Sequence, residues 1–162
     1  GGWEGRDKKT GQMRKRVGRL LEYASIYSGQ GRPQKRPVSA RALAGQFTSE
    51  LVHFNPLIDN KIGDDAIISA DPELLERVFD NLISNLHKHA DVAQPMSLSC
   101  RQVGQSIVLE LENGIAENAA AAKGNTMGQK IVEYIMQIHG GSVAVRQKDN
   151  RYAVTLTFAM KN

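Results

Sequence analysis

The sequence predicts an α/β two-layer sandwich, in which helices pack on one face of a mixed sheet and one long helix precedes them. After that helix, the periodic segments follow in the order helix, strand, helix, two strands, helix, two strands. Packing the helices on one face of a single sheet is the simplest arrangement for this order. The apolar content of 41% is enough for a buried core, and 162 residues suit one domain with an appended helix.

Composition disfavours several classes of protein. No apolar run approaches the roughly 20 residues that span a bilayer, and GGWEGRDKKTGQ contains no apolar segment resembling a secretion signal. The single cysteine, Cys100, can form neither an internal disulfide nor a cysteine-based zinc site. We therefore expect a cytoplasmic setting.

Basic residues are concentrated towards the N-terminus. Residues 1–41 hold eleven Lys/Arg against three Asp/Glu, a balance of +8, whereas the other 121 residues hold ten against fourteen, a balance of −4. Such a segment could contact nucleic acid or a membrane surface. It lacks interleaved aromatic residues suited to base stacking, so a solvated helix face is favoured and nucleic acid is disfavoured as a partner.

The N-terminal region is predicted to form a helix followed by a linker. In residues 12–28, apolar side chains recur at spacings of 4, 3, 4 and 3, which is typical of a helix that packs lengthwise against other helices: Met13, Val17, Leu20, Ala24 and Tyr27. SGQGRPQKRP is rich in glycine, proline and basic residues. We accordingly divide the chain into a helix within residues 1–30, a linker at 31–37 and a domain at 38–162.

The predicted domain begins with a helix and a short strand before its main helix. Ser39 can cap a helix with one apolar stripe, and DDAIISAD indicates a strand that ends at Asp71. Asp71, Pro72 and Glu73 form a strong helix start: a capping side chain, a proline in the first turn and an acid near the positive end of the helix dipole. The sequence therefore predicts a helix over residues 71–89.

This helix carries polar residues beside its apolar face. At about 100° per residue, Asn81 and Asn85 lie about 40° apart on the flank of that face, and His89 lies about 40° further round. Asparagine is a mediocre helix former, but its amide both donates and accepts hydrogen bonds. The pattern is compatible with a binding site and also with an exposed polar flank that holds no ligand.

Beyond Pro95 the pattern changes to two hairpins and one more helix. MSLSC and SIVLELEN alternate around VGQS, and SVAVRQ and RYAVTLTFAM alternate around an Asp-Asn turn. Between the hairpins, TMGQKIVEYIMQIHGG predicts a helix that ends at the Gly-Gly pair. The segment GIAENAAAAKGN (114–125) is either a loop or a short alanine-rich helix.

Several of these segments resemble motifs of the sensor histidine kinases. DPELLERVFDNLISNLHKHA is similar to their N-box, and KIVEYIMQIHGGSVAV is similar to the helix and strand that follow their glycine-rich G-box. MRKRVGRLLEYASIYSG resembles the second helix of their dimerisation and phosphotransfer hairpin. The resemblance covers the chain from about residue 10 to 160 and implies the Bergerat-type ATP-binding fold that these kinases share with gyrase, Hsp90 and MutL.

The resemblance implies that the N-box residues bind ATP and Mg²⁺. Asn85 matches the asparagine that helps to ligate the Mg²⁺ bridging the phosphates, and Asn81 matches a position lining the phosphate region. The ATPase relatives have a glutamate at the position of Asn81. Because an amide cannot remove a proton, Asn81 suits phosphate transfer better than hydrolysis. Lys88 would supply positive charge towards phosphate oxygens, and His89 replaces a common tyrosine whose ring packs beside the nucleotide.

The chain departs from the family at two nucleotide-binding positions. Asn113 stands where the family has an adenine-reading aspartate; its oxygen can accept the adenine amino hydrogen, more weakly than a carboxylate, although a plain Asn-Gly turn explains it equally well. Where the G-box typically reads GLGL, so that backbone amides approach phosphates, this chain reads TMGQ. Gly128 is retained and Thr126 replaces the first glycine, so we expect reduced nucleotide affinity.

The resemblance implies an ATP-binding catalytic domain of a two-component sensor histidine kinase, cytoplasmic or the cytoplasmic part of a membrane-anchored sensor. No histidine lies in a sequence like the phosphoacceptor box, and His53 and His139 are interpreted as surface or helix-end residues. The γ-phosphate would therefore pass to a histidine outside this chain. The implied partners are the phosphoacceptor helix of the parent kinase, a response regulator and a second copy bound through the N-terminal helix. The alternative is a degenerate scaffold of the same fold that does not bind ATP and serves dimerisation or regulator docking.

Overall fold

The computed structural model describes residues 32–116 and 127–161. The predicted N-terminal helix, Thr126 and most of the segment 114–125 lie outside the described residues. The chain divides into two units, Gly1–Pro33 and Gln34–Asn162, and the helices and strands of the described residues all belong to the second unit. Among the described residues, no helix combines the length and the apolar character needed to span a membrane.

The described part of the chain contains seven strands, three α-helices and a short 3-10 helix. In chain order they are β1 (Arg36–Ser39), α1 (Ala40–Glu50), the 3-10 helix (Val52–Phe54), β2 (Leu57–Asn60), β3 (Ile67–Ala70), α2 (Pro72–His89), β4 (Ser97–Val103), β5 (Ser106–Gly114), α3 (Met127–Ile138), β6 (Ser142–Lys148) and β7 (Arg151–Ala159).

Five of the described strands form one mixed sheet, in the order β2-β4-β5-β7-β6. The pairing of β2 with β4 is parallel and the other pairings in this sheet are antiparallel. β1 and β3 form a separate two-stranded antiparallel sheet. The prediction of an α/β fold built on a mixed sheet is therefore confirmed.

The two faces of the larger sheet differ in character because side chains alternate along each strand. On one face, Glu110 and Glu112 of β5 form ion pairs with Arg146 and Arg151, at 3.3 and 3.1 Å. On the other face, the alternate residues of β5 are buried and apolar: Ile107, Leu109 and Leu111. The helices supply the second layer of the core over this apolar face.

The predicted main helix forms with the predicted cap. The carboxylate Oδ1 of Asp71 accepts hydrogen bonds from the backbone N–H groups of Glu73 (3.1 Å) and Leu74 (3.4 Å), and Pro72 occupies the first helical position. Further along α2, the ring of Phe79 stacks on Phe47 of α1, with centroids 4.5 Å apart and an interplanar angle of 10°. This stacked pair joins the two helices within the core.

Two strands lie where the sequence pattern did not indicate one. β1 begins at Arg36, inside the predicted linker, and β2 follows the 3-10 helix. The helix predicted from Ser39 ends at Glu50, and Asn55 then adopts a left-handed conformation with φ 49°. Pro37 is tolerated in β1 because a two-stranded sheet leaves one side of each strand unpaired.

His139 lies at the end of α3, as predicted, but it is buried. The residue is 7% exposed, whereas His53 is exposed. Nε2 of His139 accepts a hydrogen bond from the backbone N–H of Asp71 (3.0 Å), and Nδ1 lies 2.7 Å from the carbonyl oxygen of Ile135. Since Nε2 accepts, Nδ1 carries the proton and donates to Ile135. His139 therefore connects the end of α3 to the start of α2.

Candidate functional site

A pocket lies between the C-terminal half of α2 and the sheet. Its lining residues come from α2, from the end of β5 and the residue after it, from the start of α3, and from the hairpin β6–β7. They are Leu82, Asn85, Leu86, His89, Leu111, Asn113, Ile115, Gln129, Gln147, Tyr152 and Val154. An apolar cavity with a few polar groups is the usual form of a small-molecule site.

Backbone hydrogen bonds hold α2 and β5 together at this pocket. The N–H of Asp91 donates to the carbonyl of Gly114 (2.9 Å), and the N–H of Ala116 donates to the carbonyl of His89 (2.9 Å). A Cβ on Gly114 would collide with the side chain of Gln94, so glycine permits this close approach. The arrangement places His89 beside the end of β5, where Asn113 lies.

Asn113 presents an unused hydrogen-bond acceptor. The residue is 4% exposed, and its Nδ2 donates to the carbonyl of Gly114 (2.8 Å). That bond fixes the orientation of the amide, and its buried Oδ1 has no partner among the described residues. Buried acceptors are rarely left without a hydrogen bond. The group is therefore suited to a donor supplied by a ligand in the pocket.

Asn85 and His89 stand one turn apart on the α2 wall of the pocket. Both side chains are half-buried. The Nδ1 atom of His89 is buried and, among the described residues, has no hydrogen-bond partner. The C-terminal half of α2 thus supplies an amide and an imidazole to the same pocket as the acceptor of Asn113.

The other predicted site residues lie outside the pocket lining. Asn81 is 8% exposed, and its Nδ2 donates to the carbonyl of Arg77, one turn earlier in α2 (2.8 Å). Lys88 is exposed, and Gly128 is half-buried in the first turn of α3. The structure therefore brings together Asn85, His89 and Asn113 from the predicted set in one pocket lining, and Asn81, Lys88 and Gly128 are not among its lining residues.

Sequence reasoning missed three polar residues of the pocket: Gln129, Gln147 and Tyr152. Gln129 stands where the family has a leucine, so the G-box comparison marked its position but not a role. Tyr152 and Gln147 belong to the last hairpin, whose alternating pattern shows that they share a face but not what lies above them. Burial raises the pKa of Tyr152, so its hydroxyl keeps its proton at neutral pH.

The chain is similar in sequence to known sensor kinases, although no family model matches it. It is 27% identical to the sensor histidine kinase YrkQ of Bacillus subtilis over 106 residues, which are 65% of this chain and 24% of YrkQ. It is 23% identical to the sensor histidine kinase CusS of Escherichia coli over 172 aligned positions, which cover 90% of this chain and 35% of CusS. The chain thus spans about a quarter to a third of these relatives.

Solved structures of histidine kinases share the fold. The histidine kinase AdeS of Acinetobacter baumannii superposes with a TM-score of 0.69 at 17% identity, over 90% of this chain and 77% of that structure. The catalytic domain of the histidine kinase ThkA gives 0.57 at 15% identity, over 78% and 97%. Full-length ShkA in complex with AMPPNP gives 0.67 at 18% identity, over 90% and 35%.

Sequence and fold agree on one family. The curated relatives are sensor histidine kinases, and the structural neighbours include a histidine kinase catalytic domain that is matched over nearly its whole length. The chain is therefore a homologue of the sensor histidine kinases, with the fold of their catalytic domain.

Proposed function

We propose that this chain is the ATP-binding catalytic part of a two-component sensor histidine kinase and supplies the γ-phosphate of ATP to a histidine outside the chain. The observation that carries the proposal is the unpartnered Oδ1 of Asn113 inside the pocket. The amino group of adenine is a donor that would satisfy this buried acceptor. The ShkA neighbour, a complex with an ATP analogue, supports a nucleotide of this type.

Each part of the nucleotide can be assigned polar residues of the pocket. Asn113 would accept from the base, while His89 would pack its ring beside it. Asn85 would contact the phosphates through Mg²⁺, since amide oxygens are hard ligands and Mg²⁺ is commonly held by few protein oxygens together with substrate phosphates. Bound there, Mg²⁺ would neutralise charge on the phosphate oxygens. Lys88 and Gly128 are assigned to the phosphate region by the family resemblance alone.

The residues of this chain position the phosphate and do not activate water. Asn81 holds the place of the glutamate base found in ATPase relatives, and its Nδ2 is bound to the carbonyl of Arg77. A side-chain amide cannot act as a general base at neutral pH. Catalysis would therefore consist of positioning and charge stabilisation, as in phosphoryl transfer generally.

Titration of the whole chain with Mg-ATP, followed by calorimetry, tests this proposal. We expect saturable binding that weakens when Mg²⁺ is removed, because Mg²⁺ would join Asn85 to the phosphates. A matched titration with adenosine separates base recognition from phosphate recognition. Absence of saturable binding at millimolar Mg-ATP would contradict the proposal.

Restoring the first glycine of the G-box should improve binding. We expect Thr126→Gly to tighten Mg-ATP binding several-fold, because it removes a Cβ at a position where the family turns its backbone towards phosphate. Adenosine affinity should stay the same, since the base does not reach this segment in the proposed pose. Equal affinities of wild type and variant for Mg-ATP would show that Thr126 does not limit binding.

A degenerate scaffold of the same fold is the second candidate function. It is favoured by the sequence TMGQ in place of the glycine-rich box and by Asn113 in place of an aspartate. Such a protein would serve dimerisation or docking of a response regulator. Failure of both the wild type and Thr126→Gly to bind millimolar Mg-ATP would contradict the catalytic function and favour this one.

Self-association through the N-terminal helix is part of both candidates. The apolar stripe of residues 13–27 has the spacing of a helix that packs against other helices, so we predict a dimer. Leu20→Asp should convert it to a monomer, because it places a charge in the centre of that seam. Sedimentation over a range of concentrations measures this. An unchanged oligomeric state in Leu20→Asp would refute the predicted interface.

A further inference from the structure

Three polar residues form one row across the sheet at the pocket. In the register of β5 and β7, Asn113 lies directly opposite Tyr152, and in the register of β6 and β7, Tyr152 lies directly opposite Gln147. Directly opposite residues of antiparallel strands point to the same face, with Cβ atoms about 4.5–5.5 Å apart. All three line the pocket, so the row runs from the buried Asn113 to the exposed Gln147 at its rim.

The first two members of the row have complementary hydrogen-bonding capacity. The bond from its Nδ2 to the carbonyl of Gly114 leaves the Oδ1 of Asn113 as the end of the amide that faces the pocket, and this oxygen is an acceptor. Tyr152, opposite Asn113 on β7, lines the same pocket, and its hydroxyl can donate. The row thus offers an acceptor and, one strand away, a donor. A 6-aminopurine presents the matching pair, an amino group and an adjacent ring nitrogen that accepts.

We propose that Tyr152 is a specificity-determining residue. Asn113 accepts a hydrogen bond from the amino group of the base, and the hydroxyl of Tyr152 donates a hydrogen bond to a ring nitrogen beside that amino group. This inference rests on the proposed nucleotide site and adds to it a second contact with the base. A 6-oxopurine is disfavoured because its carbonyl oxygen would face the Oδ1 of Asn113. Turning the amide round would break its bond to Gly114 and place two oxygens together.

The fixed amide explains how a neutral side chain can replace a carboxylate in base selection. A free asparagine could present either its oxygen or its nitrogen and would read 6-amino and 6-oxo bases alike. The bond from Nδ2 to the Gly114 carbonyl removes the second option. A neutral acceptor makes a weaker bond than a carboxylate, so a second contact from Tyr152 would contribute more to selection here.

Binding of Mg-ATP and two analogues to Tyr152→Phe tests the inference. The variant removes only the hydroxyl, and we expect about three- to ten-fold weaker Mg-ATP binding, the usual effect of one neutral hydrogen bond. The analogues 1-deaza-ATP and 7-deaza-ATP each lack one ring nitrogen beside the amino group. One of the two analogues lacks the nitrogen that Tyr152 contacts, and wild type and Tyr152→Phe should bind that analogue with equal affinity. Tyr134→Phe, in α3 and outside the pocket lining, is the matched control and should not change affinity.

The outcomes separate this inference from the function on which it rests. No binding of Mg-ATP by wild type would contradict the proposed function itself. If wild type binds Mg-ATP and Tyr152→Phe binds it with the same affinity, the role of Tyr152 is overturned and the nucleotide site is not. The same holds if Tyr152→Phe binds both deaza analogues more weakly than wild type does. A second measurement is the affinity of wild type for inosine triphosphate, which carries a 6-oxo group. Equal wild-type affinity for it and ATP would also overturn the base selection.

Discussion

Asn85→Ala is expected to lower Mg-ATP affinity roughly ten- to a hundred-fold and to leave adenosine affinity nearly unchanged. Asn85 lies on the α2 wall of the pocket, and the proposal gives its amide oxygen to Mg²⁺ against the phosphates. We take the lost contact with Mg²⁺ to cost as much as a hydrogen bond to a charged group, about 1.5–3 kcal/mol, which corresponds to this range of affinity. Adenosine carries no phosphate, so it reports only on the base. Calorimetric titration with both ligands measures the two effects in one variant.

Asn113→Ala gives the complementary result. Because its proposed contact is with the base, the substitution should weaken adenosine and Mg-ATP by similar factors. The ratio of the two affinities therefore distinguishes the residues, with Asn85→Ala lowering the preference for Mg-ATP and Asn113→Ala preserving it.

Damage to the helix is separable from loss of the ligand contact in Asn85→Ala. Alanine is the better helix former, so the free energy of unfolding should not fall. Ser84→Ala, one position earlier on α2 and outside the pocket lining, is the matched control and should bind Mg-ATP like wild type. Equal losses of adenosine and Mg-ATP affinity in Asn85→Ala would place Asn85 away from the phosphates.

Local sequence signals were sufficient to predict an element where capping or turn residues mark its ends. Asp71, Pro72 and Glu73 predicted the start of α2, and the Asp71 carboxylate caps it as expected. The hairpins were predicted from alternating segments on either side of turn residues. β2 was missed because Leu57–Asn60 is short and its partner, β4, is parallel and distant in sequence. β1 was missed because its proline and basic residues have the composition of a linker.

The site was only partly predictable, for a related reason. Helical spacing alone places Asn85 and His89 on one flank of α2, and the family resemblance added Asn113. Bringing Tyr152 and Gln147 beside Asn113 requires the register of three strands, which depends on pairings between residues far apart in the chain. The role of His139 was hidden similarly, because its partner Asp71 lies 68 positions earlier.

The hydrogen bond between His139 and Asp71 predicts that the free energy of unfolding depends on pH. Burial lowers the pKa of His139 below the usual histidine value of 6.5, and the charge of Lys35 acts in the same direction, while the bond to Ile135 and the charge of Asp71 oppose it. A protonated Nε2 would confront the N–H of Asp71 and could not accept from it. The unfolded chain therefore binds the proton more readily than the folded chain.

The contribution of His139 to the free energy of unfolding should consequently be fully present above pH 6.5. It should be lost as the pH drops from 6.5 towards the lowered pKa of the folded state. One proton gives a slope of up to about 1.4 kcal/mol per pH unit in the free energy of unfolding. Urea unfolding at several pH values between neutral and mildly acidic measures it. His139→Gln keeps a polar group and removes the titration, so the difference in slope between wild type and variant isolates His139 from the other ionisable groups.

His53→Gln is the matched control, because His53 is exposed and its replacement should leave the wild-type slope intact. At neutral pH, His139→Ala should cost about 1–3 kcal/mol, since the buried N–H of Asp71 loses its acceptor. The N–H of Asp71 belongs to the residue that caps α2, so this loss should act at the start of the helix that carries Asn85 and His89. Parallel slopes for wild type and His139→Gln would show that His139 does not couple folding to pH.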